Sequence, residues 1–330
     1  MYGIQPRLRT SAARSVCHRS HPQGIRLRLH AFRYGAYGKE QFYAGHNEEL
    51  VGKAIEPFRK EVVLATKFHI GELPQPDETS LYREMRRHLE DSMSRLRTDY
   101  IDLYYLHRIN ETVRLEDVAT VMGRLVKEGL IRGWGLSQVS ANQIRTAHEI
   151  TPLSAVQNIY SMVERDCETE IFPVCLEKGI GVVPFSPIAS GFLSGKVTAQ
   201  EQFGFDDVRK FVPQLSKENI EANRPILDLL HRFAVEKNAT NAQISLAWML
   251  HKYPNVVPIP VPRTRKGFWR IWGLGTSRFP VMSSGSYNQH WMNVRYTDIV
   301  GAWKRNRRVL VNNGVKKQLS ELSHIQSGTE

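Results

Sequence analysis

Residues 100–110 read YIDLYYLHRIN, a short apolar run that ends in a histidine, and residues 62–67 read VVLATK, a similar run that ends in a lysine. Apolar runs of this length between helical patterns are typical of parallel strands that are buried on both faces. In α/β barrels the catalytic groups lie at the carboxyl ends of such strands. We therefore expect Lys67 and His107 to lie at one end of a parallel sheet and to take part in catalysis.

Strand and helix patterns alternate over the centre of the chain, which predicts parallel strands joined by crossover helices. The predicted strands are 62–67, 100–106, 131–136, 153–158, 180–185 and 256–259. The predicted helices are 47–56, 77–96, 115–128, 140–149, 166–178, 217–236 and 241–251. No GxGxxG motif follows any of these strands, so a Rossmann fold is disfavoured. The pattern favours an α/β fold of the (β/α)8 TIM-barrel type, incomplete at its first strands and its last helix.

The 330 residues carry a net charge of +12, and this charge belongs to the two ends of the chain. Residues 1–39 hold eight Lys and Arg and no acid, and residues 263–330 hold twelve against three acids, so the middle has a net charge of −5. No basic helical face or interleaved aromatic pattern accompanies the charge, so nucleic acid is not an expected partner. We expect a basic segment at 1–30, the barrel at 31–266 and a separate tail at 267–330.

The composition also bounds the location of the protein. No apolar run reaches the roughly 18 residues of a membrane span, so no membrane partner is expected. Three scattered cysteines are too few for a disulfide framework or a metal site, which favours a reducing, cytoplasmic location. The Arg-rich, acid-free start also resembles an organellar transit peptide, but Pro6, Pro22 and Gly24 interrupt any amphipathic helix there, so a segment without targeting value is preferred.

Between residues 36 and 266 the chain resembles the aldo-keto reductase family. The motifs that carry the resemblance occur in the family's order: AYG at 36–38, NEELVGKA at 47–54, ATK at 65–67, DYIDLYYLHR at 99–108, LVKEGLIRGWGLS at 125–137, AVQNIYS at 155–161, EKGIGVVPFSPIASGFLSGK at 177–196, and PIP followed by TRK at 258–266. The resemblance implies an eight-stranded α/β barrel that binds NADP(H) without a Rossmann motif and reduces small aldehyde or ketone substrates.

The family works with an Asp, a Tyr, a Lys and a His, and the resemblance identifies Tyr37, Lys67 and His107 with the last three. The chemistry explains these residue types. A tyrosine with a pKa of about 10 is a poor acid at neutral pH unless a nearby cation favours its phenolate. An imidazole that is hydrogen-bonded to the carbonyl oxygen orients and polarises the substrate. Taken singly, Lys67 and His107 could also be ordinary strand-end and core residues.

The catalytic Asp has no match in this chain. The family pattern is Phe-Asp-Thr-Ala, two residues and Tyr-Gly, and the place of the Asp falls on Phe32 or Arg33. Tyr34 and Tyr43 are rivals of Tyr37 for the acid. Codons for Phe-Asp-Thr-Ala that are read out of frame can spell Arg-Tyr-Gly, which stands at 33–35, and this suggests a shifted frame or a wrong join before Tyr37.

The resemblance also identifies a set of cofactor contacts. The carboxamide of the nicotinamide is expected at Ser137, Gln138 and Gln157, and its ring on Phe185. Arg265 and Lys266 match the basic group that pairs with the 2′-phosphate, although two extra residues precede them. The loop that crosses the pyrophosphate is expected to contribute Ser186, Ile188, Gly191, Leu193 and Lys196.

The sequence thus predicts NADPH-dependent reduction of aldehydes or ketones with a Tyr/Lys/His site that is impaired by the missing Asp. The alternative is a non-catalytic barrel of the same family that binds a nucleotide or a partner protein. The missing Asp and the altered ends favour this alternative, whereas the intact Lys67, His107 and Phe185 favour the enzyme.

Overall fold

The computed structural model describes residues 45–71, 76–204 and 207–260, together with the backbone of residues 19–20, 26–27 and 29–30. Three predicted site residues, Tyr37, Arg265 and Lys266, lie outside the described residues. The proposed tail at 267–330 lies outside them as well, as does most of the proposed basic segment at 1–30.

A parallel sheet forms the centre of the described chain. The strands are β1 Arg19–Ser20, β2 Arg26–Leu27, β3 Leu29–His30, β4 Val63–Phe68, β5 Leu103–Leu106, β6 Trp134–Ser137, β7 Ala155–Gln157 and β8 Gly181–Val182. β1 and β2 pair antiparallel, and β3 to β8 follow one another in chain order in a sheet whose neighbours are all parallel. The five predicted strands between residues 62 and 185 are therefore confirmed.

The sixth predicted strand, 256–259, is less regular than expected. Val256 forms a single parallel bridge with Val182. The amides of Val257 and Ile259 then donate to the carbonyl oxygens of Val182 and Pro184 at 2.8 and 3.2 Å. The segment thus adds a further parallel position beside β8.

Helices connect the strands in the way that a barrel of βα units requires. They are α1 His46–Ile55, α2 Glu78–Leu96, α3 Leu115–Lys127, α4 Ala141–Ile150, α5 Ile171–Glu177, α6 Lys217–Ala222, α7 Arg224–Glu236 and α8 Asn241–Lys252. One helix, α2 to α5 in turn, lies between each pair of consecutive strands from β4 to β8. Parallel neighbours joined by such crossovers confirm the parallel α/β architecture of the predicted fold class.

Local capping explains why most predicted helix boundaries agree with the structure. Asp77 accepts from the amide of Ser80 at 2.8 Å at the start of α2. Ser140 opens α4 with a capping box to Gln143. Gly129, with φ +75°, follows α3 in a conformation that suits glycine. These signals are local in sequence, so they can be read from the residues alone.

Two predicted helices differ from the structure. The segment 217–236 is divided into α6 and α7 because Pro225 lacks the amide that a continuous helix needs and would clash with the preceding turn. The segment 166–178 begins as a short 3-10 turn, Asp166–Glu168, before α5. Glu168 accepts from the Tyr160 hydroxyl at 2.7 Å and lies 2.8 Å from Lys252, so contacts distant in sequence hold this turn.

The two faces of the parallel strands pack in two separate apolar clusters. One set of alternate residues packs against the helices in the large core: Leu64, Phe68, Tyr104, Leu106, Trp134, Leu136, Val156 and Val182. The other set forms a smaller cluster on the inner side of the sheet: Ala65, Leu103, Tyr105, Ala155 and Val183, with Val257 and Ile259 packed against it. We call this second set the inner cluster.

A buried ion pair joins the amino ends of β4 and β5. Arg59 Nη1 lies 2.8 Å from Asp102 Oδ2, with side chains only 9% and 8% exposed. Both partners also form hydrogen bonds with the backbone, because Leu64 N donates to Asp102 at 2.9 Å and Arg59 Nη2 donates to the Tyr100 carbonyl at 2.8 Å. A desolvated pair of this kind depends on such hydrogen bonds on both partners.

We expect Asp102→Asn to lower the free energy of unfolding by about 3–5 kcal/mol, because it leaves Arg59 buried without its counterion. The measurement is urea unfolding followed by circular dichroism. Glu56→Gln is the matched control, since Glu56 and Arg97 are also 2.8 Å apart but about half exposed, and a loss of about 0–1 kcal/mol is expected there. Equal losses in both variants would contradict the assignment of Asp102 to a stabilising role.

Candidate active site

The predicted site residues meet at the carboxyl ends of β4 to β8. Side chains two positions apart in a strand share a face. The inner cluster contains Ala65, Tyr105, Ala155 and Val183, and Gly135 lies at the corresponding position of β6. Two residues further along each of these segments, and so on the same face, are Lys67, His107, Ser137, Gln157 and Phe185. The structure therefore places five predicted residues, from five consecutive strands, on one face at one end of the sheet.

Lys67 and His107 are held by the pairing of β4 and β5. Lys67 is in register with Tyr105, and the amide of His107 donates to the Phe68 carbonyl at 2.9 Å. The ring of His69 lies edge-on to the ring of His107, with centroids 5.5 Å apart. Lys67 and His107 are both half-buried, so they reach the open end of the sheet rather than its core.

Burial and neighbouring cations set the charges of these groups. The pKa of Lys67 is lowered to about 8, first by burial and then by the charge of Arg108. The pKa of His107 is lowered to about 4 by burial, followed by the charges of Arg108, Lys67 and His69. At neutral pH the site therefore holds a charged lysine beside a neutral imidazole.

Arg108 belongs to this site, although sequence analysis did not select it. Its Nη1 donates to the carbonyl oxygen of His107 at 2.6 Å and to Ser137 Oγ at 3.2 Å. Burial lowers the pKa of its guanidinium. Within the described part of the chain, neither Arg108 nor Lys67 forms an ion pair with a carboxylate. A cation directly after a strand-end histidine was the available sequence signal.

Tyr105 forms the floor beneath the site. Its ring is fully buried, and burial raises the pKa of its phenol, so it is unsuited to act as an acid at neutral pH. A Cβ at Gly135 would lie 2.5 Å from both the Tyr105 ring and the Ala155 carbonyl oxygen. Glycine at position 135 is therefore what lets the Tyr105 ring lie across β6.

Two amide side chains hold the ends of β6 and β7 together. Gln138 has φ +55°, its backbone N donates to the Gln157 carbonyl at 3.1 Å, and its Oε1 accepts from Ile159 N at 2.8 Å. Asn158 accepts from Val139 N at 3.2 Å and donates to Val139 O at 2.8 Å. The side-chain oxygen of Gln138 is thus engaged by the backbone, whereas Gln157 is buried on the inner face with the parity of the site.

The loop after β8 contains the remaining predicted contacts that the structure describes. It turns through left-handed backbone at Ser186, Ala189, Ser190, Gly191 and Gly195. Ser186 Oγ accepts from Ser190 N at 3.0 Å and so braces the turn. Leu193 is fully buried in a second apolar cluster, against which Ile188 packs, so its side chain is not available to a ligand. Lys196 is exposed at the end of the loop.

Comparison with known proteins gives the site a family context. The aldo/keto reductase family matches residues 39–270. The curated protein "Probable aldo-keto reductase 1" of Glycine max is 40% identical over 220 residues, which are 66% of this chain and 63% of that protein. The chain therefore spans less than two thirds of the length of this relative.

Solved structures are similar over the same region. The glycerol dehydrogenase of Gluconobacter oxydans gives a TM-score of 0.61 at 27% identity, covering 69% of this chain and 72% of that one. An aldo/keto reductase of Klebsiella pneumoniae in complex with NADP and acetate gives 0.56 at 25% identity, covering 74% of each chain. With the parallel sheet and the family match over most of its length, this chain belongs to the aldo/keto reductase family.

Proposed function

We propose that this chain binds NADPH and reduces small aldehydes or ketones, with a rate limited by a defective proton-transfer site. The observation that carries the proposal is the pair formed by a charged Lys67 and a neutral His107 at the open end of the sheet. A family member needs such a pair next to the cofactor, and the same face carries Ser137, Gln157 and Phe185.

The donor set of this face fits a nicotinamide dinucleotide. Ser137 and Gln157 are buried at 2% and 4% exposure, and both can hydrogen-bond a carboxamide. Phe185 is half-buried and offers a ring for stacking, and the exposed Lys196 can meet a phosphate. The Klebsiella relative was solved with NADP, which supports NADP(H) as the cofactor of this chain.

The residues of this chain then divide the reaction between them. Bound NADPH supplies a hydride to the carbonyl carbon. Neutral His107 can donate a ring N–H to the carbonyl oxygen and fix its orientation. Lys67, charged at neutral pH, stabilises the developing alkoxide and favours the ionised form of the tyrosine that delivers the proton. We assign that tyrosine to Tyr37.

The missing Asp weakens this arrangement. Burial and Arg108 both work against the charge on Lys67, and no described carboxylate opposes them. Phe32 or Arg33 stands where the family has the Asp, and an added cation would lower the pKa of Lys67 further. If NADPH binds but no carbonyl is reduced, the chain is instead a non-catalytic nucleotide-binding barrel.

We also assign the protein to the cytoplasm. Cys167 and Cys175 are buried free thiols, and burial raises their pKa values to about 11 and about 12. Thiols of this kind are unreactive and typical of a reducing compartment. No described helix combines the length and the apolar character that crossing a membrane requires.

Cofactor choice is the first test. We expect NADPH to quench the protein fluorescence at concentrations at least about tenfold lower than NADH, because only NADPH presents a 2′-phosphate to basic side chains. Replacing both Arg265→Gln and Lys266→Gln should bring the two dissociation constants together. Arg263→Gln removes a neighbouring positive charge and serves as the control, which should keep the preference. Equal binding of both cofactors by the unmodified chain would contradict a role of Arg265 and Lys266 in binding the 2′-phosphate.

Lys67 should support catalysis and lower the stability of the folded protein. Lys67→Met is expected to lower kcat/KM about 10²–10⁴-fold and to raise the free energy of unfolding at pH 7 by up to ~3 kcal/mol. The unfolded lysine, with the ordinary pKa of 10.5, binds its proton more tightly than the folded one, so this gain disappears as pH rises from about 8 toward 10.5. Carbonyl reduction by the unmodified chain should fall as pH rises through about 8.

Steady-state rates and urea unfolding across pH measure both effects of Lys67. Lys53→Met, at an exposed lysine of α1, is the control and should change neither quantity. A stability gain in both variants would show that burial of the Lys67 charge is not its cause.

Restoring the acid should restore activity. We expect Phe32→Asp or Arg33→Asp to raise the rate of NADPH oxidation with a reactive aromatic aldehyde about 10²-fold or more, because a carboxylate would oppose the loss of the Lys67 charge. Arg33→Asn removes the cation without adding an anion and should give a smaller gain. Full activity in the unmodified chain would show that the Asp was never needed.

A further inference from the structure

Arg108 is a half-buried cation whose binding capacity is only partly used. Its Nη1 contacts the His107 carbonyl oxygen and Ser137 Oγ, at 2.6 and 3.2 Å. Both contacts are to uncharged acceptors. The guanidinium carries five N–H donors in a planar fork, and among the described residues Nε and Nη2 have no acceptor, so they can bind a further one.

Arg59 in the same chain shows what a satisfied buried arginine looks like. Arg59 binds the Asp102 carboxylate at 2.8 Å and donates to the carbonyl oxygens of Val62 and Tyr100. Arg108 has a comparable backbone contact but, among the described residues, no carboxylate. Partial burial of a charge without a counterion is unfavourable, so the binding of an anion to Arg108 would be favourable, whereas Arg59 already has its counterion.

The position of Arg108 points to the reacting end of the proposed groove. It directly follows His107 at the end of β5 and touches Ser137 at the end of β6. The loop that we assign to the cofactor phosphates follows β8, two strands further along the sheet. An anion at Arg108 is therefore better placed to belong to the carbonyl substrate than to the phosphates of the cofactor.

We infer that Arg108 binds a carboxylate of the substrate, so that the preferred substrates are aldehydes or ketones that carry a carboxylate. The inference rests on the proposed function and narrows its substrate class. The planar guanidinium matches a carboxylate by two parallel hydrogen bonds, and a lysine cannot reproduce that geometry. Arg108 is then a residue that determines specificity, whereas Lys67 and His107 act on the carbonyl group.

The test compares 4-carboxybenzaldehyde with its methyl ester, which has the same ring and aldehyde but no charge. We expect the unmodified chain to favour the acid in kcat/KM by about 10- to 100-fold, the range of one charge-assisted hydrogen-bonded pair. Arg108→Gln should lose this preference; since it also removes a charge that acts on Lys67 and His107, the ratio of the two kcat/KM values is the readout. Arg108→Lys keeps the charge but not the fork and should retain an intermediate preference.

Arg114→Gln is the matched control. Arg114 lies on the same connection after β5, is 73% exposed and is 3.8 Å from Glu116, so its loss removes one positive charge without touching the site. The control should keep the preference for the acid. A parallel fluorescence titration with NADPH should give the same dissociation constant in Arg108→Gln and in the unmodified chain.

The outcomes separate this inference from the proposed function. Turnover of both aldehydes without preference, or a preference that survives Arg108→Gln, overturns the inference and leaves the function. Weaker NADPH binding in Arg108→Gln with an unchanged acid-to-ester ratio also overturns it, since the anion is then the cofactor. If neither aldehyde is reduced, the proposed function fails, and the inference is then tested by calorimetric titration with benzoate and, for comparison, with benzamide. Benzoate binding that Arg108→Gln abolishes supports the inference. Equal binding of benzoate and benzamide overturns it. Arg108→Lys provides the same comparison if the glutamine variant does not fold.

Discussion

The alternation of side chains across parallel strands is the constraint on which the rest of this structure depends. In β4, β5 and β7, and at the end of β8, one set of residues packs on the helices and the other forms the inner cluster. A shift of one residue in register would exchange the two sets and expose the core. Because the helix-facing residues are large and apolar, this exchange is strongly unfavourable. The register therefore also determines which side chains emerge at the carboxyl end of the sheet.

The chemistry of the site follows from where the register places cations. Lys67 lies next to Tyr105, and Tyr105 lies next to Gly135, so the lysine stands beside a buried aromatic ring. His107 and Arg108 follow at the end of the next strand, and the charges of Arg108 and Lys67 lower the pKa of the imidazole. The mouth of the sheet is cationic, although residues 40–262 together have a net charge of −5. A site of this kind favours anionic ligands and disfavours protonation of its own histidine.

The parts of the structure that local patterns encode could be predicted from the sequence. The strands, the helix caps and the positions of Lys67 and His107 follow from apolar runs, capping residues and strand ends. The break before α7 was also encoded, in Pro225, but the apolar periodicity on both sides concealed it. Arg108, Gly135 and the bonds of Gln138 were not predicted, because each depends on a contact with another strand. Tyr37 stays a prediction, since it lies outside the described residues.

Buried charges have different surroundings at the two ends of the sheet. The charges at one end stabilise the fold, and those at the other end belong to the candidate site. At the amino ends, Arg59 has the Asp102 carboxylate as its counterion, and the pair closes β4 onto β5. At the carboxyl ends, Lys67 and Arg108 have no described carboxylate, and their charges act on each other and on His107. These uncompensated cations destabilise the folded state, which the apolar core and the opposite ion pair stabilise. We therefore expect the loss of the family's Asp to act on proton transfer at the mouth, because the ion pair that closes β4 onto β5 lies at the other end.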